Sequence, residues 1–285
     1  MRGLDAALGG VRATQALIDH HRSAVGVNAQ GGDLGHHASP YLVLRHTVNY
    51  LLAGTIAADI KGSGALLDVG SGVGVFSSWL ARRLGRPLHV ADHDPAVLRL
   101  AQRAFPDVTV HDDLDWAPDA AIVTAMEVIE HIPYGEQTAF VRALMAHVER
   151  GGVLICSTPD EHRYLGGWSG YRPHVGTLDY NGLHTLLHGA TGLPVQVWRI
   201  DGPGFRLSRL QRVGEPLVNR VWGMTQHRMP AVTGRLAGRI GRRRRARDAF
   251  GPVPADQAFN VTADADGPGT GLLAAVFAPH ASLSS

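Results

Sequence analysis

Apolar residues recur along the chain in two rhythms. Before residue 60 they fall at helical spacing, in Ala13, Ala16 and Leu17 and again in Leu44, Val48, Leu51, Leu52 and Ile56, with the polar loop Gln30-Gly31-Gly32-Asp33 between the two groups. From Gly64 onward, short apolar runs alternate with amphipathic stretches. The runs Ala65–Val69, Leu88–Ala91, Val108–Val110, Ala120–Ala125 and Val153–Ser157 predict strands. Val75–Leu84, Pro95–Phe105 and Gly135–Arg150 predict helices, the last through an apolar face of Phe140, Val141, Leu144, Met145 and Val148. A helix at Tyr180–Leu187 and a strand at Pro194–Ile200 follow. Residues 203–250 read as helical or irregular, and Gly271–Ala278 offers a last apolar strand. Strand and helix alternating at this spacing predict a three-layer α/β domain with a mostly parallel sheet covered on both faces. The chain therefore divides into an N-terminal helical cap (1–60), a core (61–202), a helical insertion or lid (203–250) and a final segment carrying the last strand or strands and a tail (251–285).

Composition narrows the class of molecule. With 285 residues, 45% apolar and 18% charged, the chain can bury a substantial core and is not globally disordered. Its single cysteine, Cys156, rules out an internal disulfide scaffold and falls in a predicted buried strand, where inert core packing is expected. No stretch approaches the ~20 apolar residues of a membrane span, and the opening MRGLDAALGGVRATQ lacks the continuous apolar core of a signal peptide. A cytoplasmic location is the expectation. The 27 basic and 25 acidic side chains nearly balance, and Lys61 is the only lysine among the former. That balance conceals a basic pole, because the arginines from Arg235 to Arg247 cluster with no acid between them. Such a run serves either as a solvated face or linker, or as a binder of phosphates in RNA, pyrophosphate or an anionic membrane surface.

Candidate chemistry begins at Asp68-Val69-Gly70-Ser71-Gly72-Val73-Gly74, which ends a strand, turns on three glycines and opens a helix. Glycine admits positive φ and lets a ligand approach the backbone. The third glycine comes one position earlier than in G-x-G-x-x-G, and no Gly-Lys-Ser/Thr follows, so neither a dinucleotide nor a Walker loop fits. Roughly twenty residues on, a second strand ends in Asp92-His93-Asp94-Pro95, where an acid can accept both hydroxyls of a ribose. A third strand runs into Asp112-Asp113-Leu114, where a carboxylate can accept from an exocyclic adenine amine. Asp68 can hold the loop or meet an ammonium group.

Taken together, these residues resemble the class I S-adenosylmethionine-dependent methyltransferases over about Gly64 to Ile200. The resemblance implies a Rossmann-like fold with a mostly parallel seven-stranded sheet. It further implies that Gly70, Gly72 and Gly74 wrap the methionine part of the cofactor, Asp92 the ribose, and Asp113, or its competitor Asp112, the adenine edge. Asp68, Leu114 and Met126 complete the cofactor contacts on this reading.

After the fourth strand the chain reads Met126-Glu127-Val128-Ile129-Glu130-His131. In a helical turn, Glu127, Glu130 and His131 would fall at i, i+3 and i+4 on one face. Two carboxylates and an imidazole make a half-site for Mg²⁺, Mn²⁺ or Zn²⁺, with His174 in Arg172-Pro173-His174 as a fourth ligand. This set is similar to that of the ubiquinone-biosynthesis O-methyltransferases and the small-RNA 2'-O-methyltransferases, in which it implies a bound cation. Metal-free methyltransferases carry a similar motif, and in that version His131 is the expected base with His174 behind it. Glu127, His131 and His174 are thus the catalytic candidates in either case. Tyr164, Trp168 and Tyr171 either cover an acceptor or close the core, and His36 and His37 are further candidates at the site. The expected activity is O-methylation of a small organic acceptor in specialised metabolism. An RNA 2'-O-acceptor, carbon or nitrogen methylation of a small molecule or prenyl diphosphate, and a non-catalytic cofactor-binding scaffold are the alternatives.

Overall fold

The computed structural model describes residues 40–61, 64–206 and 259–280, with a few positions between 212 and 220. His36, His37, the first predicted helix and the arginines from Arg235 to Arg247 lie outside the described residues.

Helix α1 (Pro40–Ala57) precedes the alternating core of β1 (Leu66–Val69), α2 (Val75–Leu84), β2 (Leu88–Ala91), α3 (Pro95–Ala104), β3 (Thr109–His111) and β4 (Ala120–Met126). There follow α4 (Tyr134–Ala146), β5 (Val148–Pro159), α5 (Tyr180–Thr191), β6 (Val195–Asp201), β7 (Asn260–Thr262) and β8 (Gly271–Phe277). The strands form one sheet in the order β3-β2-β1-β4-β5-β8-β6-β7. Neighbours from β3 to β5 pair in parallel, whereas β8 runs antiparallel to both β5 and β6. The chain moves outward in one direction from β1 to β3 and then restarts on the other side with β4. The carboxyl ends of β1 and β4 therefore diverge into a crevice, the place where open α/β sheets bind ligands.

Alternate strand residues feed two cores. Leu66, Ile122, Val153, Ile155 and Leu273 pack with Val48, Leu52 and Ile56 of α1 and with Phe76 and Leu80 of α2. Leu67, Val123, Leu154, Cys156 and Ala274 face the other way, against Val141 and Leu144 of α4 and Leu183 and Leu187 of α5. Period-two alternation thus buries both faces of the sheet. Cys156 belongs to the second core, and burial pushes its thiol up to about 12, which removes thiolate chemistry at neutral pH.

The sheet has eight strands where seven were expected. The additional one, β7, is a three-residue polar edge strand with no periodicity for a sequence to display. Helix α4 also ends earlier than expected, and Val148 is not on its apolar face but opens β5 opposite Ala120. Two glycines explain this. Gly151 sits at φ 75°, and a Cβ on Gly152 would lie 2.6 Å from the Ala121 carbonyl oxygen. The pair admits the register shift between Ala120 and Ile122 that a continued helix would preclude.

Candidate active site

The loop after β1 carries positive φ at all three glycines, 68° at Gly70, 56° at Gly72 and 73° at Gly74, where α2 begins. At Gly70 a Cβ would meet Val128 Cγ2 at 2.5 Å, so the loop lies tight against the turn after β4. At Gly72 the same atom would meet nothing within 4 Å, which leaves this stretch of backbone open to a ligand. Asp92, at the end of β2, staples the loop. Its Oδ2 accepts from the Gly72 N–H at 3.1 Å and its Oδ1 from the Asp94 N–H at 3.0 Å.

A cavity of about 520 Å³ is lined by Gly70, Ser71, Gly72, Asp92 and Met126 and also by Glu130, His131, Glu161, Tyr164, Tyr171 and His174. Arg45, His46 and Tyr50 of α1, together with Glu127, belong to the same lining. Of the predicted aromatics, Tyr164 and Tyr171 line the cavity, while Trp168 lies under the Arg220 guanidinium, 5.9 Å from its ring. Asp112, Asp113 and Leu114 stand beyond the lining; both acids are exposed, and Asp113 caps a short 3-10 turn by accepting from the Asp115 N–H.

Asp68 lies beneath the loop and is fully buried. Parallel register sets Thr124 of β4 beside it, and its carboxylate accepts from the Thr124 hydroxyl at 2.5 Å and the Tyr50 hydroxyl at 2.8 Å. Burial raises its pKa to about 6 against the pull of these hydroxyls. An unfolded aspartate releases its proton near 3.8, whereas the folded one holds it to about 6, so rising pH through this window removes stability. Asp68→Asn carries no such loss. In denaturant titrations the variant should therefore gain on the wild type by up to about 3 kcal/mol from about pH 4 to pH 7. Parallel pH profiles would refute this.

The segment after β4 is not the helical turn that would align Glu127, Glu130 and His131. Glu127 takes a left-handed φ of 56°, and only Ile129–His131 form a short 3-10 turn. The Glu127 carboxylate consequently points to α1, where it accepts from Arg45 Nη2 at 2.6 Å and from Asn49 at 3.3 Å, with Ser157 Oγ also 3.3 Å away. Glu130, His131 and His174 do converge, each offering one ligand atom within 4.8 Å of the others. The four-residue cation set is thereby corrected to three, with Glu127 on the cavity wall beside it.

Within that group Glu130 is fully buried. Its Oε2 accepts from the Thr158 hydroxyl at 3.1 Å, while Oε1 has no hydrogen-bond partner among the described residues. Burial, reinforced by the Glu127 charge, raises its pKa well above the ordinary carboxylate value. His131 has one edge in solvent; burial of the remainder and the neighbouring His174 lower its pKa, so the imidazole is neutral at neutral pH. Its Nδ1 lies 3.2 Å from the Pro173 carbonyl oxygen and must donate there. His174 Nδ1 lies 2.6 Å from Glu161 Oε1. Burial would raise the Glu161 pKa, yet the His174 and Ser169 hydrogen bonds prevail and lower it, so it stands as a carboxylate. His131 therefore carries its proton on Nδ1 and presents the Nε2 lone pair, while the Glu161 carboxylate likewise accepts from Nδ1 of His174. Glu161, Arg45 and Asn49 were not among the sequence candidates; their position next to predicted residues appears only in the fold.

A family described as a methyltransferase domain matches residues 36–191, more than half of the 285-residue chain. The chain belongs to this family. The methyltransferase shows 13% identity and a TM-score of 0.51 to the YcgJ protein of Bacillus subtilis, over 81% of this chain and 98% of that one. Phosphoethanolamine N-methyltransferase 2 of Haemonchus contortus, solved with S-adenosyl-L-methionine, is 14% identical at a TM-score of 0.48, over 81% of this chain. The present chain spans only about half of that protein, 52% of its length. CalS10 of Micromonospora echinaspora, an amino pentose methyltransferase solved with the same cofactor, is 27% identical at a TM-score of 0.35, over 46% of this chain and 53% of its own. No curated protein matches the sequence. The chain carries a methyltransferase domain, and S-adenosylmethionine is the cofactor with which two of these neighbours were solved. Its glycine loop fits that cofactor, since the open face at Gly72 adjoins a carboxylate, Asp92, on the cavity wall. Among the described residues no helix is long and apolar enough to cross a membrane.

Proposed function

We propose that this methyltransferase transfers the methyl group of S-adenosylmethionine to a hydroxyl of a small organic acceptor, using a divalent cation held by Glu130, His131 and His174. One observation carries the reading: a carboxylate oxygen of Glu130 and one ring nitrogen each of His131 and His174 converge, while Nδ1 of either histidine is engaged by Pro173 or Glu161. Glu130 Oε1, buried and without a hydrogen-bond partner among the described residues, supports it, because burial disfavours the bare carboxylate, as its raised pKa reflects, and a cation in the place of the proton offsets that cost. A divalent cation there supplies Lewis acidity toward an acceptor hydroxyl.

The chain's own residues do the remaining work. The glycine loop and Asp92 hold the donor at the carboxyl end of β1, in the cavity that the histidines also line. Tyr164 and Tyr171 cover the space between and exclude water, and the wall fixes the acceptor for in-line displacement at the sulfonium methyl. The aromatic lining suits an acceptor with a flat apolar body and a hydroxyl at one end. A second reading has a specific observation behind it: the Glu161 contact would equally serve His174 as a cation-free general base, ahead of His131.

Methyl transfer to a panel of phenols, catechols and alcohols, followed by S-adenosylhomocysteine release, tests the proposal. Activity should vanish in excess chelator and return with Mn²⁺ or Zn²⁺. Full activity in chelator would replace the cation with the base, and transfer to amines alone would overturn the hydroxyl acceptor.

A further inference from the structure

The loop leaving β5 builds a support for His174 before it reaches the cavity. Asp160 anchors the loop: its backbone N–H donates to the Thr270 carbonyl at 2.6 Å, and its carboxylate accepts from buried Arg199 at 2.6 Å. The same carboxylate caps the 3-10 turn Glu161–Arg163 by accepting from the His162 N–H. Glu161, the first residue of that turn, is 2% exposed and has both oxygens engaged. Oε2 accepts from the Ser169 N–H at 3.1 Å, and Oε1 meets His174 Nδ1 at 2.6 Å. The His174 ring is also bracketed edge-on by Tyr171 and His131, with centroids 4.8 Å away in each case. Its orientation is thus fixed by packing, and its protonated nitrogen by one carboxylate.

We infer that Glu161 is a positioning residue, which holds His174 in the tautomer that carries its proton on Nδ1 and so leaves Nε2 as its free nitrogen in the cavity shared with Glu130 and His131. This role rests on the reading of His174 as cation ligand or base. Histidines that work through one ring nitrogen have the other held by a carboxylate or carbonyl, and disturbing that partner typically costs 10–100-fold in metal affinity.

Ser169 makes the inference sharply testable. Its N–H can only donate, so the position of Oε2 must be occupied by an oxygen. In Glu161→Gln the amide oxygen must face Ser169, which places the NH₂ group against His174 Nδ1. That nitrogen must then accept, and the proton moves to Nε2, inside the cavity. Both hydrogen bonds persist, so the fold and cofactor affinity should be retained while the lone pair is lost.

¹⁵N NMR of the histidine side chains, with His174 assigned by loss of its signals in His174→Ala, reads the tautomer directly in the full chain bound to S-adenosylhomocysteine. The expected result is Nδ1–H in the wild type and Nε2–H in Glu161→Gln, with Mn²⁺ bound roughly 10–100-fold more weakly by the variant in calorimetric titration. Nε2–H in the wild type, an unchanged tautomer in the variant, or equal Mn²⁺ affinity in two proteins that both bind it would overturn the inference. A wild type that takes up no Mn²⁺ removes the cation from the proposed function, and the tautomer comparison alone then decides the role of Glu161.

Discussion

Asp92→Ala should weaken binding of S-adenosylhomocysteine by roughly 10²–10³-fold in calorimetric titration. The side chain acts twice. It accepts from the backbone N–H groups of Gly72 and Asp94, which holds the glycine loop against the end of β2, and its place on the cavity wall suits it to accept both ribose hydroxyls of the cofactor. Hydrogen bonds to an ionised group contribute about 1.5–3 kcal/mol each, so loss of two to the ligand costs at least about 3 kcal/mol, roughly two hundredfold, before any loosening of the loop. Asp92→Asn keeps one acceptor oxygen and should fall between the two. A loss below about threefold in the alanine variant would remove Asp92 from the cofactor site.

His174→Ala is expected to lower kcat by roughly 10²–10⁴-fold with little change in cofactor affinity, because the contacts of His174 are with Glu161, His131 and Tyr171 rather than with the glycine loop or Asp92. The split between kcat and cofactor binding carries the prediction, since a folding defect would depress both. If the residue acts through a cation, chelation should reduce the wild type to the level of the variant and leave the variant unaffected. If it acts as a base, chelation should change neither. Wild-type turnover by His174→Ala would place the chemistry elsewhere in the cavity.

Most of the sheet was legible because each strand alternates or runs apolar between turn residues, and the glycine loop because its spacing constrains backbone and ligand together. The exceptions have physical reasons. Gly151 and Gly152 carry the bulge that ends α4 early, and β7 is too short and polar to register. Glu127 could be marked as a site residue, but its direction could not. A left-handed φ in a glutamate is imposed by tertiary partners, here Arg45 across 82 residues of sequence. Glu161 was hidden for a related reason. Its partner lies 13 residues away along an irregular loop, where no periodicity relates one side chain to another.

Helix α1 looks from its sequence like a cover placed over a separate core, yet its side chains add hydrogen-bond donors to those that β4 and β5 give the core acids. Tyr50 serves Asp68, while Arg45 and Asn49 serve Glu127, on both sides of the crevice between β1 and β4. A chain begun at Lys61 would keep every described strand, with Thr124 beside Asp68 and Ser157 beside Glu127, but would lose the Tyr50 hydroxyl, the Asn49 amide and the Arg45 guanidinium. The family match, which starts at residue 36, takes in that helix. The smallest inheritable unit of this enzyme is therefore larger than its nucleotide-binding sheet, and shortening the chain from the front should cost charge balance before it costs shape.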